Sequence, residues 1–303
     1  MIINKKLNCG ARIVMEEIPY VQSVSIGIWV KAGSVDETPR TSGISHFIEH
    51  MLFKGTDKRS AKKIAEDVDK IGGQINAFTG KEATCYYLKT LSNNIDRAAD
   101  ILIDMFMNSR FDEEEMEKEK RVVYEEIKMI EDSPEDDAHD IIGELIFKGS
   151  PLAKPIIGTP KSLQGITRKS IQRYMQEEYT RDNIVISVCG RFDPDHVCSL
   201  FDDTLSNLNA EKAFKGYGET EYKANYKVKV KDIEQSHICL GLQGVSMADD
   251  RYYSLILLNN IMGGSMSSRL FQNIREEKGL AYSVYSMSSS FSGTGYFNIY
   301  AGV

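Results

Sequence analysis

What the sequence has little of narrows the field first. Its five cysteines, Cys9, Cys85, Cys189, Cys198 and Cys239, form no CxxC pair and are odd in number. That scatter fits reduced thiols in a cytoplasmic protein, not a disulfide framework. No apolar run approaches the about 20 residues that a membrane-spanning helix needs. The opening Met1-Ile2-Ile3-Asn4-Lys5-Lys6 leads into mixed polar sequence without an apolar core or a small-residue cleavage site, so no export signal is expected. Basic residues are scattered and the net charge is −7. Neither nucleic acid nor an anionic membrane is an expected partner.

What is present is a globular composition, 42% hydrophobic and 27% charged over 303 residues. That length favours two domains. Alternation of Val24, Ile26, Ile28 and Val30 predicts a strand within 22–35. Helices are expected over 42–54 and 61–71, the second stopped by Gly72-Gly73. A strand pair over 74–92 turns at Gly80-Lys81, helices follow over 95–108 and 112–132, and a Pro/Gly-rich crossing spans 149–165. A helix near 170–179 and an apolar strand over 183–190 close the unit, and 209–223 reads as a linker.

The pattern then restarts. The stretch "SIGIWVKAGSVDE" at 25–37 has a counterpart in "HICLGLQGVSMADD" at 237–250, and "AKKIAEDVDKIGGQINAF" has one in "SSRLFQNIREEKGLAYSV". The order of elements is the same in both, which indicates an internal duplication. The expected organisation is a first domain over 1–213 and a homologous second one over 222–303. The fold class is α+β, each unit a mixed or antiparallel sheet with helices packed on one side, and the second unit is expected to be incomplete.

The chemistry concentrates at His46-Phe47-Ile48-Glu49-His50. At about 100° per residue, His46 and His50 lie one turn apart on the same side of a helix, with Glu49 beside them. Two imidazoles at that spacing suit one tetrahedral zinc, and Glu49 is placed to reach a water on it. A random HxxEH arises in roughly one such chain per hundred, so two solvated histidines are the bland alternative. The helix is otherwise apolar, which favours the metal. A third ligand is needed, and the helix over 112–132 offers many carboxylates. Val122, Val123 and Ile130 mark its apolar face, with Glu119 and Glu126 inside that stripe, whereas Glu125 falls toward Lys118, Arg121 and Lys128. A carboxylate on a buried face wants a cation, so Glu126 is the candidate. Of the other histidines, His139 in "EDSPEDDAHD" reads as solvated or capping.

Set in "GISHFIEHMLFKGT", the pentapeptide resembles the inverted zincins of the pitrilysin, insulysin and mitochondrial processing peptidase family, in particular its smaller two-domain bacterial members. In that family a later helix supplies a glutamate ligand, with a further glutamate two turns before it. The resemblance of "EKEKRVVYEEIKMIEDSP" to that element implies Glu126 as third ligand and Glu119 as the carboxylate behind a ligand. It also implies that Asn76, Ala77 and Phe78 lie on an edge strand that pairs with an extended peptide. Arg275 and Tyr282, seven residues apart, match the pair that steadies the substrate carbonyl or the developing oxyanion. The implied activity is a zinc-dependent endopeptidase acting on unfolded peptides or presequences, working as a homodimer or with a family-related partner subunit. A non-catalytic binding or scaffold subunit is the alternative.

Overall fold

The computed structural model describes residues 2–209 and 222–303. Most of the linker expected over 209–223 therefore lies outside the described residues. In chain order the first part carries β1 (Ile2–Lys6), β2 (Arg12–Glu17), β3 (Ser23–Val30), α1 (Ile44–Leu52), α2 (Ala61–Lys70), β4 (Gln74–Thr79), β5 (Thr84–Leu91) and α3 (Ile95–Asn108). It continues through α4 (Glu113–Asp132), α5 (Pro134–Ile146), α6 (Pro160–Gln164), α7 (Arg168–Glu178), β6 (Ile184–Gly190) and α8 (Pro194–Leu205). Then come β7 (His237–Gln243), α9 (Tyr252–Gly263), a π-helical turn at Phe271–Glu277, β8 (Ser283–Ser290) and β9 (Gly295–Gly302). The chain forms two compact units: Met1–Tyr124 with Ile156–Phe214, and Glu125–Pro155 with Lys215–Val303.

In the first unit six strands form one sheet in the order β1-β2-β6-β3-β5-β4. Only β2 and β6 run parallel, so the sheet is mixed. The alternation legible in β3 drives its burial: Ile26, Ile28 and Val30 are fully buried, opposite Leu88, Tyr86 and Thr84 of β5 and Val188, Ile186 and Ile184 of β6. Helix α3 packs on that same face, its Phe106 ring meeting Tyr86. The other face carries the polar or half-exposed partners, including Trp29 and Tyr87. Strands β1 and β2 and helix α8 were not expected. β2 is too short and too irregular in its alternation to stand out, and α8 follows a proline that occupies the first helical turn instead of ending the segment.

The N-terminus of α1 is held by a carboxylate remote from its own cap position. Buried Glu37 accepts from the Gly43 amide at 2.7 Å through Oε2 and from the Ser45 amide at 2.9 Å through Oε1. These amides have no partner within the helix, and an anion there also meets the positive end of the helix dipole. Gly43 takes φ +87°, and a Cβ on it would lie 2.5 Å from the Ile157 carbonyl oxygen. Gly158 reciprocates with φ +79° and a Cβ position 2.5 Å from the Ser42 carbonyl oxygen. Backbone meets backbone here because neither residue has a side chain. The hydroxyl pair Ser45–Tyr174, 2.8 Å apart, ties the same turn to α7.

In the second unit three strands form an antiparallel sheet in the order β7-β9-β8. Helix α9 packs against β8, where the Ser286 hydroxyl donates to the Asn259 carbonyl. Helix α5 lies on the other face, its Ile142 and Ile146 side chains filling the space over Gly241. Its Pro134 also sits in a first turn, behind the Ser133 cap, and no helix was expected there from the sequence. His139 is consequently not solvated. It is half-buried, accepting from Asn298 at Nδ1 (3.0 Å) and donating from Nε2 to the Tyr285 oxygen (2.7 Å), and Tyr285 in turn donates to Glu135 (2.6 Å). Strand β7 is the counterpart of β3 in the duplication, yet its Ile238, Leu240 and Leu242 are 53%, 54% and 48% exposed.

The Glu37 contact yields a stability prediction. Replacing Glu37 by Ala strands two buried amides, which should cost about 3 kcal/mol. A thermal scan should show the Glu37→Ala chain melting several degrees below the parent, with Glu37→Gln intermediate. An unchanged midpoint for Glu37→Ala would mean that the carboxylate does not hold α1.

Candidate metal centre

Helix α1 divides cleanly. Ile44, Phe47, Ile48, Met51 and Leu52 are buried against the sheet, leaving His46, Glu49 and His50 half-exposed on the other side. The two imidazole rings stand 4.6 Å apart, centroid to centroid. Burial disfavours the charged form of His46, and the neighbouring His50 adds to this, so its pKa falls to about 4. At neutral pH His46 is therefore a neutral ring with a lone pair to offer.

His50 is oriented from behind. Its Nδ1 lies 2.8 Å from Glu119 Oε1. A proton on Nδ1 makes His50 the donor in that bond and leaves the lone pair of Nε2 available to a metal. The other Glu119 oxygen, Oε2, is 2.5 Å from Lys54 Nζ, at the end of α1. Burial alone would raise the Glu119 pKa, but the hydrogen bonds from His50 and Lys54 outweigh it, and the carboxyl is held below its usual range. A lysine, a carboxylate and an imidazole thus form one chain of contacts from α1 to α4 and back.

Glu126 lies seven residues after Glu119 on α4, two turns along one continuous helix. The buried stripe of α4 is centred on Met116, Glu119, Lys120, Val123 and Ile127. Val122 is not part of it and is 46% exposed, so the stripe is rotated from the one read in sequence, and Glu126 lies at its margin, half-exposed. Ligand atoms of His46, His50 and Glu126 all lie within 4.8 Å of one another. Two imidazole nitrogens and one carboxylate oxygen are a donor set that suits zinc. The residues present fit the metal.

Glu49 accepts from the Thr79 hydroxyl, Thr79 Oγ1 to Glu49 Oε2 being 2.5 Å. Thr79 ends β4, the edge strand of the sheet. Along β4 the side chains alternate: Ile75, Ala77 and Thr79 are half-buried, while Gln74, Asn76 and Phe78 are exposed. Phe78 meets Trp29 edge to face at 5.4 Å, and Asn76 Oδ1 accepts from the Ala77 amide at 2.8 Å. In the second unit, the Arg275 guanidinium lies 5.4 Å from the centre of the Tyr282 ring and 4.7 Å from that of Phe271. Lys54, Thr79 and Glu37 escaped sequence reading. Each acts on a partner in another element, and no local period marks such a pairing.

Two family models match the chain, and they meet near residues 160–165, not at the limits of the compact units. Residues 12–160 match the family model described as insulinase (peptidase family M16), and residues 165–303 match that of the peptidase M16 inactive domain. A Bacillus subtilis protein named as an uncharacterized zinc protease is 48% identical over 300 residues, covering 98% of this chain and 73% of that protein. One of the same description from Streptomyces coelicolor is 39% identical over 301 residues, covering 97% of this chain and 66% of its own length. The chain thus spans about two thirds to three quarters of these relatives. In fold it resembles the crystal structure of a peptidase M16 inactive domain from Pseudomonas fluorescens (TM-score 0.94, 20% identity, all of this chain and 74% of that one). It also resembles a protease from Helicobacter pylori (TM-score 0.88, 23% identity, all of this chain and 74% of that one). The fold is α+β with two units, and the chain belongs to the insulinase family of peptidases, M16.

Proposed function

We propose that this protein is a zinc-dependent endopeptidase that hydrolyses unfolded peptides or presequences. The observation that carries the reading is the convergence of His46, His50 and Glu126, with Glu49 adjoining His50 on α1. The relatives named as zinc proteases support it. His46, His50 and Glu126 would hold the zinc, and Glu119, braced by Lys54, would fix the His50 ring. Zinc, when bound, supplies the Lewis acidity that makes water nucleophilic at neutral pH.

An extended peptide would add to the open edge of β4 beside Asn76, Ala77 and Phe78, main chain to main chain. Glu49 would take the proton of the attacking water and pass it to the leaving amine. Arg275 and Tyr282 would steady the carbonyl oxygen as its charge develops. The second unit carries Leu257-Leu258-Asn259-Asn260 in place of the ligands, so one zinc per chain is expected. The domains by descent remain 1–213 and 222–303 in this reading. Cytoplasmic residence, and a homodimer or a related partner subunit, belong to the same proposal. Among the described residues no helix is long and apolar enough to cross a membrane. A scaffold subunit would have no need of His46, Glu49, His50 and Glu126 together, and all four are present.

Two experiments test this. Glu49→Gln should bind zinc as the parent does and lose turnover of an unstructured peptide by about 100-fold or more; hydrolysis at the parental rate would refute the mechanism. Lys54→Met should lower zinc affinity about 10- to 100-fold, measured by competition with a chelating dye. Parental affinity would mean that Glu119 holds His50 unaided.

A further inference from the structure

The Thr79 side chain on β4 donates a hydrogen bond to Glu49 on α1, and the residues around it explain how firmly it is placed. The turn that follows it is closed by the Gly80 amide on the Ala83 carbonyl at 2.8 Å. That turn is clasped from outside: the Val35 amide donates to the Lys81 carbonyl at 3.0 Å and the Ser34 amide to the Gly80 carbonyl at 3.4 Å. The approach is so close that a Cβ on Gly33 would lie 2.4 Å from the Gly80 carbonyl oxygen. The clasping segment runs directly into Glu37, which holds the N-terminus of α1. Backbone contacts at the turn and the Glu37 carboxylate therefore connect α1 to the end of β4 by a short route, and the Thr79–Glu49 bond closes the ring.

A carboxylate on a long, half-exposed side chain has rotational freedom that a general base must give up before it can act. A hydrogen bond to one oxygen removes that freedom and decides how the other oxygen is turned. Thr79 also belongs to the strand on which the peptide is proposed to pair. We infer that Thr79 is a positioning residue for Glu49, holding its carboxylate in register with a peptide laid along β4. The inference rests on the reading of Glu49 as the base. Displacement of the substrate along the edge and displacement of the base are then coupled, because one residue carries both.

The test uses the full chain loaded with zinc and an unstructured fluorogenic peptide, comparing the parent with Thr79→Val, Thr79→Ser and Glu49→Gln. Valine keeps the branched shape that suits a strand and removes only the hydroxyl. Thr79→Val should lose about 10- to 100-fold in kcat with KM within about twofold of the parent. Zinc content and melting temperature should be unchanged, and Thr79→Ser should recover most of the loss. A role in folding alone would lower the melting temperature and would not separate kcat from KM. Parental kcat in Thr79→Val, with Glu49→Gln inactive, would overturn the positioning role and leave the base intact. No rescue by Thr79→Ser would likewise overturn it. Equal rates in the parent and Glu49→Gln, or no turnover by the parent, would overturn the reading of Glu49 itself, and this inference with it.

Discussion

Glu119 is shared between two partners, and the geometry of the candidate metal centre depends on that sharing. One oxygen meets His50 and the other meets Lys54, so a single carboxylate fixes the His50 ring and joins α4 to α1. Because a helix is stiff over two turns, fixing Glu119 also fixes where Glu126 can reach. Three donors from two elements are thereby set by one buried group. A buried carboxylate is costly unless its lone pairs are met, and here a cation and a ring proton meet them. Without Lys54 the same carboxylate would be harder to keep ionised, and its hold on His50 would weaken.

The sequence carried much of this, and the physical reason is periodicity. His46, Glu49 and His50 share one turn of one helix, so their proximity follows from 100° per residue and nothing else. The burial of Ile26, Ile28 and Val30 follows in the same way from alternation. The stripe on α4 was harder, because Val122 is exposed and Lys120 is buried, inverting what their side chains suggest. Lysine can bury its stem while its amine reaches Glu117. Helix α5 was hidden by Pro134, which breaks a helix in its interior but fits its first turn. His139 then moved from a supposed solvated site into a hydrogen-bonded network, with no local signal to announce it. Contacts such as His50 with Glu119, 69 residues apart, and Thr79 with Glu49, 30 apart, are products of the fold.

The two units use the same order of elements to different ends. In the first, polar groups gather on one side of α1 while its apolar side seals the sheet. In the second, the counterpart helix α9 carries no ligands, and its apolar residues Leu257 and Leu258 are substantially exposed. Polar chemistry has instead moved to the opposite face of that sheet, where His139, Asn298, Tyr285 and Glu135 form a connected network. The strand order β7-β9-β8 matches β3-β5-β4 while the side-chain chemistry of the two units differs.

Among the described residues, strand β7 shows the same contrast at the level of a single strand. Its Ile238, Leu240 and Leu242 form a greasy row on a strand at the margin of its sheet. In β3 the same kind of alternation is buried, because β5 and β6 flank the strand on both sides. An alternating apolar pattern therefore tells which residues share one face of a strand, while the elements that this face meets decide whether it is buried.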